Sequence, residues 1–574
     1  MNTEVYYFGY KHIVHGSNFG ERLFKIMRPL NSMSDIEREC CRFARILYVL
    51  GFINAEVHDA ILRGIIYNNA NSSIQLIKFT TKYTYLSPEK MTKGDWRDTA
   101  IAQLTAAGVE RPEQSVAIAT TIFDQILENM PQSEPAAMLK ARLRAGNSWL
   151  SAEDISESPY NDGDVQLMLG TLAGTDIKLG YGGEGSLVTI APSGSGKSQC
   201  HVIPNLLNYP GPVVVLDVKG ECFEKTAGWR ANNVGPVYRF APFDPVSSAG
   251  FNPLTFVRSD PMYVWDDAVF LADMLVVTQS KKDPTWEETA KNLIATIIAW
   301  AAIYKDEPDM QNVLDVLANL EWQNFIDQSI EGEKSPQQLR RRANSFAETA
   351  DRVPKQMQGV LQEANRHLSV WEFESVARVT DRSDWHPDSL RTAPYPSVYI
   401  CVETGKTETY ASLLRVMIGL QIRALTKTLP ERGGMPILFM LDEMPQLGFM
   451  RPVLEALEIG RQYGIKAWMF AQNMGQIRTI YPDGDGMVGG CAVRIFMNPS
   501  LEDNTAQKVS ERLGVQESVL DGKSYPLAEP TALAGPEYKN LQIVFATGAL
   551  PAKVSKDFVH SDPNYADRIG LSTS

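Results

Sequence analysis

The sequence predicts an α/β fold on a mostly parallel, doubly wound sheet, and three observations predict it. Apolar runs of strand length recur along the chain with helix-length intervals between them. One such run empties into a small-residue loop that ends in Gly196-Lys197-Ser198. Another ends in two adjacent acids, Asp442 and Glu443.

The first of these runs is Ser186-Leu-Val-Thr-Ile, followed by Ala191-Pro-Ser-Gly-Ser-Gly-Lys-Ser198. A buried strand, a turn of backbone N–H groups and a helix start are what a triphosphate needs, because the amides converge on phosphate oxygens. Ser193, Gly194, Ser195 and Gly196 supply the loop. Lys197 is placed to reach the β- and γ-phosphates, and Ser198 to hold Mg²⁺. The usual pattern opens on glycine where this chain has Ala191. Alanine serves there at negative φ, and Gly194 and Gly196 remain for the tight positions. ATP with Mg²⁺ is the implied cofactor pair.

Val213-Val-Val-Leu-Asp217 reads as a second buried strand and Val237 to Phe240 as a third. From about 262 to 350 the pattern turns helical, with Trp286, Leu293, Ile297 and Trp300 at helical spacings. This segment reads as an all-helical insertion. Strands resume at Val398–Val402, Ile437–Leu441, Ala467–Phe470 and Ala492–Phe496, and a final pair lies near 542–545 and 554–559. The expected domains are therefore a helical N-terminal region over 1–160, nucleotide-binding parts over 161–261 and 351–574, and the insertion over 262–350. In the N-terminal region Ser34-Asp-Ile-Glu37 reads as a capping box. Helical stripes follow at 36–50, 116–130 and after Ser133, and residues 159–183 read as a Pro/Gly-rich domain entrance.

Composition sets limits on function. The chain has 574 residues, 44% hydrophobic and 21% charged, with a formal net charge of -13. Such a surface does not coat nucleic acid non-specifically, so any contact with DNA must be a local basic lining. The six cysteines show no paired metal-site spacing. His12 and His15 have no second ligand pair nearby and read as a surface pair. No run reaches the roughly 18–20 apolar residues that span a bilayer. A cytoplasmic protein is expected.

The second half of the site is Ile437-Leu-Phe-Met-Leu-Asp442-Glu443. Asp442 is placed to sit near Mg²⁺, and Glu443 to orient and deprotonate the attacking water. Gln472, at the end of a later strand, stands where a γ-phosphate sensor would. Arg461, in Gly460-Arg-Gln-Tyr, is a candidate finger supplied to a neighbouring subunit's site. Among basic residues, Arg340-Arg341-Arg342 reads chiefly as a solvated helix face, and Arg478 lies in a loop, Asn473–Asp485, that could face a pore.

These blocks, taken in order, resemble the coupling proteins of type IV secretion systems, the conjugative DNA-transfer ATPases. The resemblance rests on Ala191–Ser198, Val202-Ile-Pro-Asn-Leu-Leu207, Val214–Glu221, Thr226-Ala-Gly228, Phe251-Asn-Pro-Leu254, Leu441–Gly448, Gly460–Ile465, Ala471-Gln472 and Cys491–Ile495, and covers about 165–565. It implies a RecA-like P-loop NTPase domain with an inserted all-helical domain, assembled as a homo-hexameric ring with ATP sites at subunit interfaces. It implies Lys197 and Ser198 on phosphate and Mg²⁺, Asp442 and Glu443 as the hydrolysis pair, Arg461 acting in trans and Gln472 as sensor. The expected function is an ATP-driven motor that brings single-stranded DNA with its relaxase, or a protein, to the secretion channel. Relatives usually begin with transmembrane helices. The N-terminal region here reads instead as a soluble docking module, which places the chain at the inner membrane through partners. The alternatives are a cytosolic double-stranded DNA translocase and an ATP-gated cargo receptor with little turnover.

Overall fold

The computed structural model describes residues 2–7, 10–15 and 149–571, apart from 277–284, 404, 432 and 518–523. The helical stripes expected over 34–146 lie outside the described residues. The chain divides into two units, residues 1–149 with 510–528, and residues 150–509 with 529–574. The first contains two antiparallel hairpins, β1 (Asn2–Tyr7) with β2 (Tyr10–His15), and β12 (Val515–Glu517) with β13 (Ser524–Pro526). The β1–β2 hairpin was not part of the helical reading of this region.

The second unit is built on one 11-stranded sheet. Its strands are β3 (Leu167–Leu172), β4 (Lys178–Tyr181), β5 (Leu187–Ile190), β6 (Val213–Asp217), β7 (Val237–Phe240) and β8 (Ser397–Cys401). The remainder are β9 (Ile437–Leu441), β10 (Ile465–Ala471), β11 (Val493–Phe496), β14 (Leu541–Ala546) and β15 (Ala552–Ser555). They lie side by side as β4-β3-β15-β14-β11-β5-β10-β9-β6-β8-β7. From β11 to β7 every neighbouring pair is parallel. From β11 back to β4 every pair is antiparallel.

The central strands are mostly apolar because both faces are covered, with Lys466 of β10 and Arg494 of β11 as buried charged exceptions. Val213, Val215, Leu438, Met440, Trp468, Phe470, Val493 and Ile495 share one cluster with Leu206, Cys222 and Ala227 of the flanking helices. The alternate residues Val214, Leu216, Phe439 and Met469 are buried as well.

β3 and β4 form an antiparallel extension where the sequence reading placed only a domain entrance. Their glycines hid them. Gly170, at φ 124°, packs where a Cβ would fall 2.5 Å from Ser555 O, so glycine is required for the close approach to β15.

Between β7 and β8 the chain is helical, in segments from Val264–Leu275 and Thr285–Tyr304 to Pro354–Leu368 and Glu374–Thr380. The helices therefore run past 350, the limit read from sequence. Pro354 occupies the first turn of the next helix, where a missing N–H costs nothing, so it restarts the bundle and does not end it. No helix among the described residues is long and apolar enough to cross a membrane.

Candidate nucleotide-binding site

Four neighbouring strands, β5, β10, β9 and β6, end at the same sheet edge. Ile190 pairs with Ala471, Met469 with Leu441, and Leu216 with Leu441. Just beyond those pairs lie the loop 191–198, Gln472, the acids Asp442 and Glu443, and Asp217. The carboxyl edge of a parallel sheet is where such folds bind ligands.

The loop leaves β5 tied to β10 through Ala191 N–H donating to Ala471 O at 2.9 Å. Gly194 and Gly196 both take positive φ, 78° and 95°. A Cβ on Gly194 would meet nothing within 4 Å, whereas one on Gly196 would fall 2.6 Å from the Phe558 ring. The first glycine serves the turn, and the second serves both the turn and its packing. A π-type turn, Ser198–Val202, then leads into the helix Ile203–Asn208. Pro204 has no N–H to give the carbonyl four residues back, which is one reason the ladder widens here.

Lys197 is buried, and its ammonium is ion-paired with Glu443. Asp442 Oδ1 lies 3.4 Å from the same Nζ. Gln472 Nε2 donates to the other Glu443 oxygen, Oε2, at 3.1 Å. Glu443 takes φ 53° and ψ 38°, the left-handed region that a side chain as long as glutamate seldom adopts. The sharp turn carries the chain from β9 into Met444–Leu447 and leaves Asp442 and Glu443 facing one lysine. Burial pushes the Asp442 carboxyl above its ordinary range, Lys197 opposes this, and the adjacent Glu443 adds to it. Asp442 Oδ1 has no hydrogen-bond partner although it is buried. A buried carboxylate oxygen held only by a 3.4 Å ion pair with Lys197, beside a phosphate-type loop, fits a hydrated divalent cation.

Asp217, at the end of β6, is pushed up to about 6, chiefly by burial. Its Oδ2 accepts the Phe223 N–H at 2.8 Å. Glu221 accepts from Gln199 Nε2 at 2.9 Å, tying the helix Glu221–Asn233 to the phosphate-loop helix.

Arg461 does not join this group. It precedes β10 and so stands at the opposite edge of the sheet, roughly 20 Å away along a seven-residue strand. Its side chain is 73% exposed and pairs with Glu184, which precedes β5.

The basic candidates are spent locally. Arg340 donates to Ser335 O, Ile330 O and Gly332 O, closing the end of the helix Trp322–Glu331. Arg342 stands over the Trp265 ring. The segment around Arg478 is not a loop but two short helices, Met474–Ile480 and Gly484–Gly489, the first capped by Asn473. Arg478 is ion-paired with Asp485 at 3.1 Å and donates to Asp503 O. The four cysteines among the described residues, at 200, 222, 401 and 491, are buried and free.

Sequence reasoning missed Arg230. It is fully buried and donates to Ser397 Oγ, Leu206 O, Tyr209 O and Gly211 O at 2.6–2.9 Å. It thereby joins the end of the phosphate-loop helix to β6 and β8. The available signal was an arginine among small residues in Thr226-Ala-Gly-Trp-Arg230.

The fold is that of the P-loop NTPase class, a RecA-like α/β core. Residues 149–530 match the family described as type IV secretory system conjugative DNA transfer. The chain belongs to that family. It is similar to the conjugal transfer protein TraG of Escherichia coli, 28% identical over 362 residues, covering 59% of this chain and 56% of the relative. It is also similar to protein VirD4 of Agrobacterium fabrum, 26% identical over 396 residues, covering 65% and 58%. The chain thus spans little more than half the length of these relatives. Among solved structures, the plasmid coupling protein TrwB in complex with the ATP analogue ADPNP superposes with a TM-score of 0.53. The two are 17% identical, and the match covers 72% of this chain and 95% of that one. TrwB in complex with ADP and Mg²⁺ gives the same score and coverage.

Proposed function

We propose that this chain is an ATP-hydrolysing coupling protein, a motor that delivers single-stranded DNA with its relaxase, or a protein, to a type IV secretion channel. One observation carries the reading: Lys197, Asp442, Glu443 and Gln472, spread over 275 positions of sequence, meet at one edge of adjoining parallel strands. The family membership and the nucleotide complexes of TrwB support it.

In this reading the loop 193–198 cradles the triphosphate, and Lys197 exchanges its carboxylate partners for phosphate oxygens. That exchange frees Glu443 to take a proton from water, with Gln472 holding its second oxygen. Ser198 and Asp442 would hold Mg²⁺, which when bound would supply positive charge against the phosphates. Arg461, exposed on the far edge, is available to a neighbouring protomer, as a hexameric ring with interfacial sites requires.

The test is ATPase activity against protein concentration, with and without single- and double-stranded DNA. A steep rise with concentration and stimulation by single strands support the coupling motor. Stimulation by duplex alone favours a double-stranded DNA translocase. Absence of turnover in the presence of partners favours a cargo receptor.

A further inference from the structure

A second polar cavity, of about 430 Å³, lies between the helical insertion and the nucleotide-binding core. Leu275, Arg366 and His367 contribute walls from the insertion, and Ser412, Arg415 and Gln446 contribute walls from the core. Arg415 is the anomaly. It is 8% exposed, yet no carboxylate among the described residues faces it. Its Nε donates to Met274 O at 2.9 Å and its Nη1 to Leu447 O at 3.1 Å, both neutral acceptors. Its Nη2 has no partner among the described residues. Burial alone pulls its pKa down to about 10.

Arg230 shows what a satisfied buried arginine looks like in this chain, with all three nitrogens donating to oxygen. Arg415 leaves one nitrogen unspent and borders a cavity. A buried cation without a counter-ion is costly, and an anion in reach repays it.

The other charges on the cavity are accounted for. Arg366 is paired with Glu363 and lies 3.7 Å from Glu287. His367 contacts Glu363 at 3.1 Å, and burial lowers its pKa, which leaves it neutral near pH 7. Glu408 is the acid at the exposed rim. Ser412 precedes Arg415 by one helical turn, on the same face.

We propose that this cavity is a binding site for a small phosphate-bearing anion, anchored on Arg415 and assisted by Ser412 and Gln446. The volume suits a compact ligand. A concave site with an acid at its rim disfavours a continuous nucleic-acid strand. Because Arg415 also holds Leu447, four residues beyond Glu443, the anion shares a wall with the segment that follows the acidic pair.

The test is calorimetric titration of the full chain with inorganic pyrophosphate, with the phosphate loop saturated by ADPNP. Saturable binding is expected, weakened about tenfold or more by Arg415→Gln. Thr409→Trp, at the exposed mouth, should weaken it similarly while leaving Arg415 and the fold in place. Three results would overturn the proposal: absence of saturable binding, affinity retained in both variants, or Arg415-dependent binding of a single-stranded oligonucleotide but not of pyrophosphate.

Discussion

Gln472 Nε2 donates to Glu443 Oε2 at 3.1 Å, across the gap between the ends of β10 and β9. The amide holds one carboxylate oxygen while Lys197 holds the other. Once Lys197 turns to phosphate in the proposed cycle, the Gln472 amide still restrains the second oxygen and so keeps the carboxylate aimed at a water molecule. Gln472→Ala should leave nucleotide affinity within about twofold and lower turnover by roughly tenfold to a hundredfold. Nucleotide binding and steady-state hydrolysis, measured on one preparation, check this. Loss of affinity without loss of turnover would contradict it.

Glu443→Gln removes the base and keeps the shape. Turnover should fall by about 10² or more, with nucleotide still bound. Nucleotide retention on a filter, measured beside phosphate release, separates the two effects.

Lys197→Ala should weaken nucleotide binding and also reveal the two acids it neutralises. Without the ammonium, the largest remaining influences on Asp442, burial and then Glu443, raise its pKa, and the smaller opposing influence is the charge of Lys219. A folded-state pKa raised above the unfolded value gives stability that is present at low pH and lost as pH rises. The variant's deficit in Tm against the parent should therefore be larger at pH 8 than at pH 5.5. An equal deficit at both values would rule out this account.

Asp217 follows the same sign over a defined pH window. Its pKa is about 6 against an ordinary 3.8, so the folded chain loses stability as pH climbs between those values. The loss amounts to as much as about 3 kcal/mol at roughly 1.4 kcal/mol per pKa unit. Asp217→Asn can keep the acceptor for Phe223 N–H and removes the titration. Relative to the parent, it should gain stability between pH 4 and 7, measured by denaturant unfolding at each pH.

Arg461 and Glu184 form an exposed pair, and such pairs contribute little to stability. Arg461→Ala should leave Tm within about 2 °C and nucleotide affinity intact, yet abolish most turnover in the proposed ring. Mixing it with Glu443→Gln should restore part of the activity, because some interfaces then combine an intact arginine with an intact base. No restoration at any ratio would exclude a shared site.

The sequence by itself determined the phosphate loop, the acidic pair and the central strands. Each is written in contiguous residues. A strand buried on both faces must be apolar along its length, so β6 and β9 are visible as runs. Gly194 and Gly196 stand where the backbone turns to positive φ. The blocks in order also carried the family.

Other features depend on which residues meet across space, and only the tertiary structure decided them. β3 and β4 are held by antiparallel neighbours from the far end of the chain and by a glycine contact, neither of which leaves a periodic trace. Arg230 and Arg415 look alike in sequence and differ in what surrounds them, one saturated by four oxygens and the other open to a cavity. The placement of Arg461 opposite its own phosphate loop follows from strand direction. The meeting of Lys197 with Asp442, Glu443 and Gln472 follows from strand order, because β5, β10 and β9 are neighbours in the sheet but far apart along the chain.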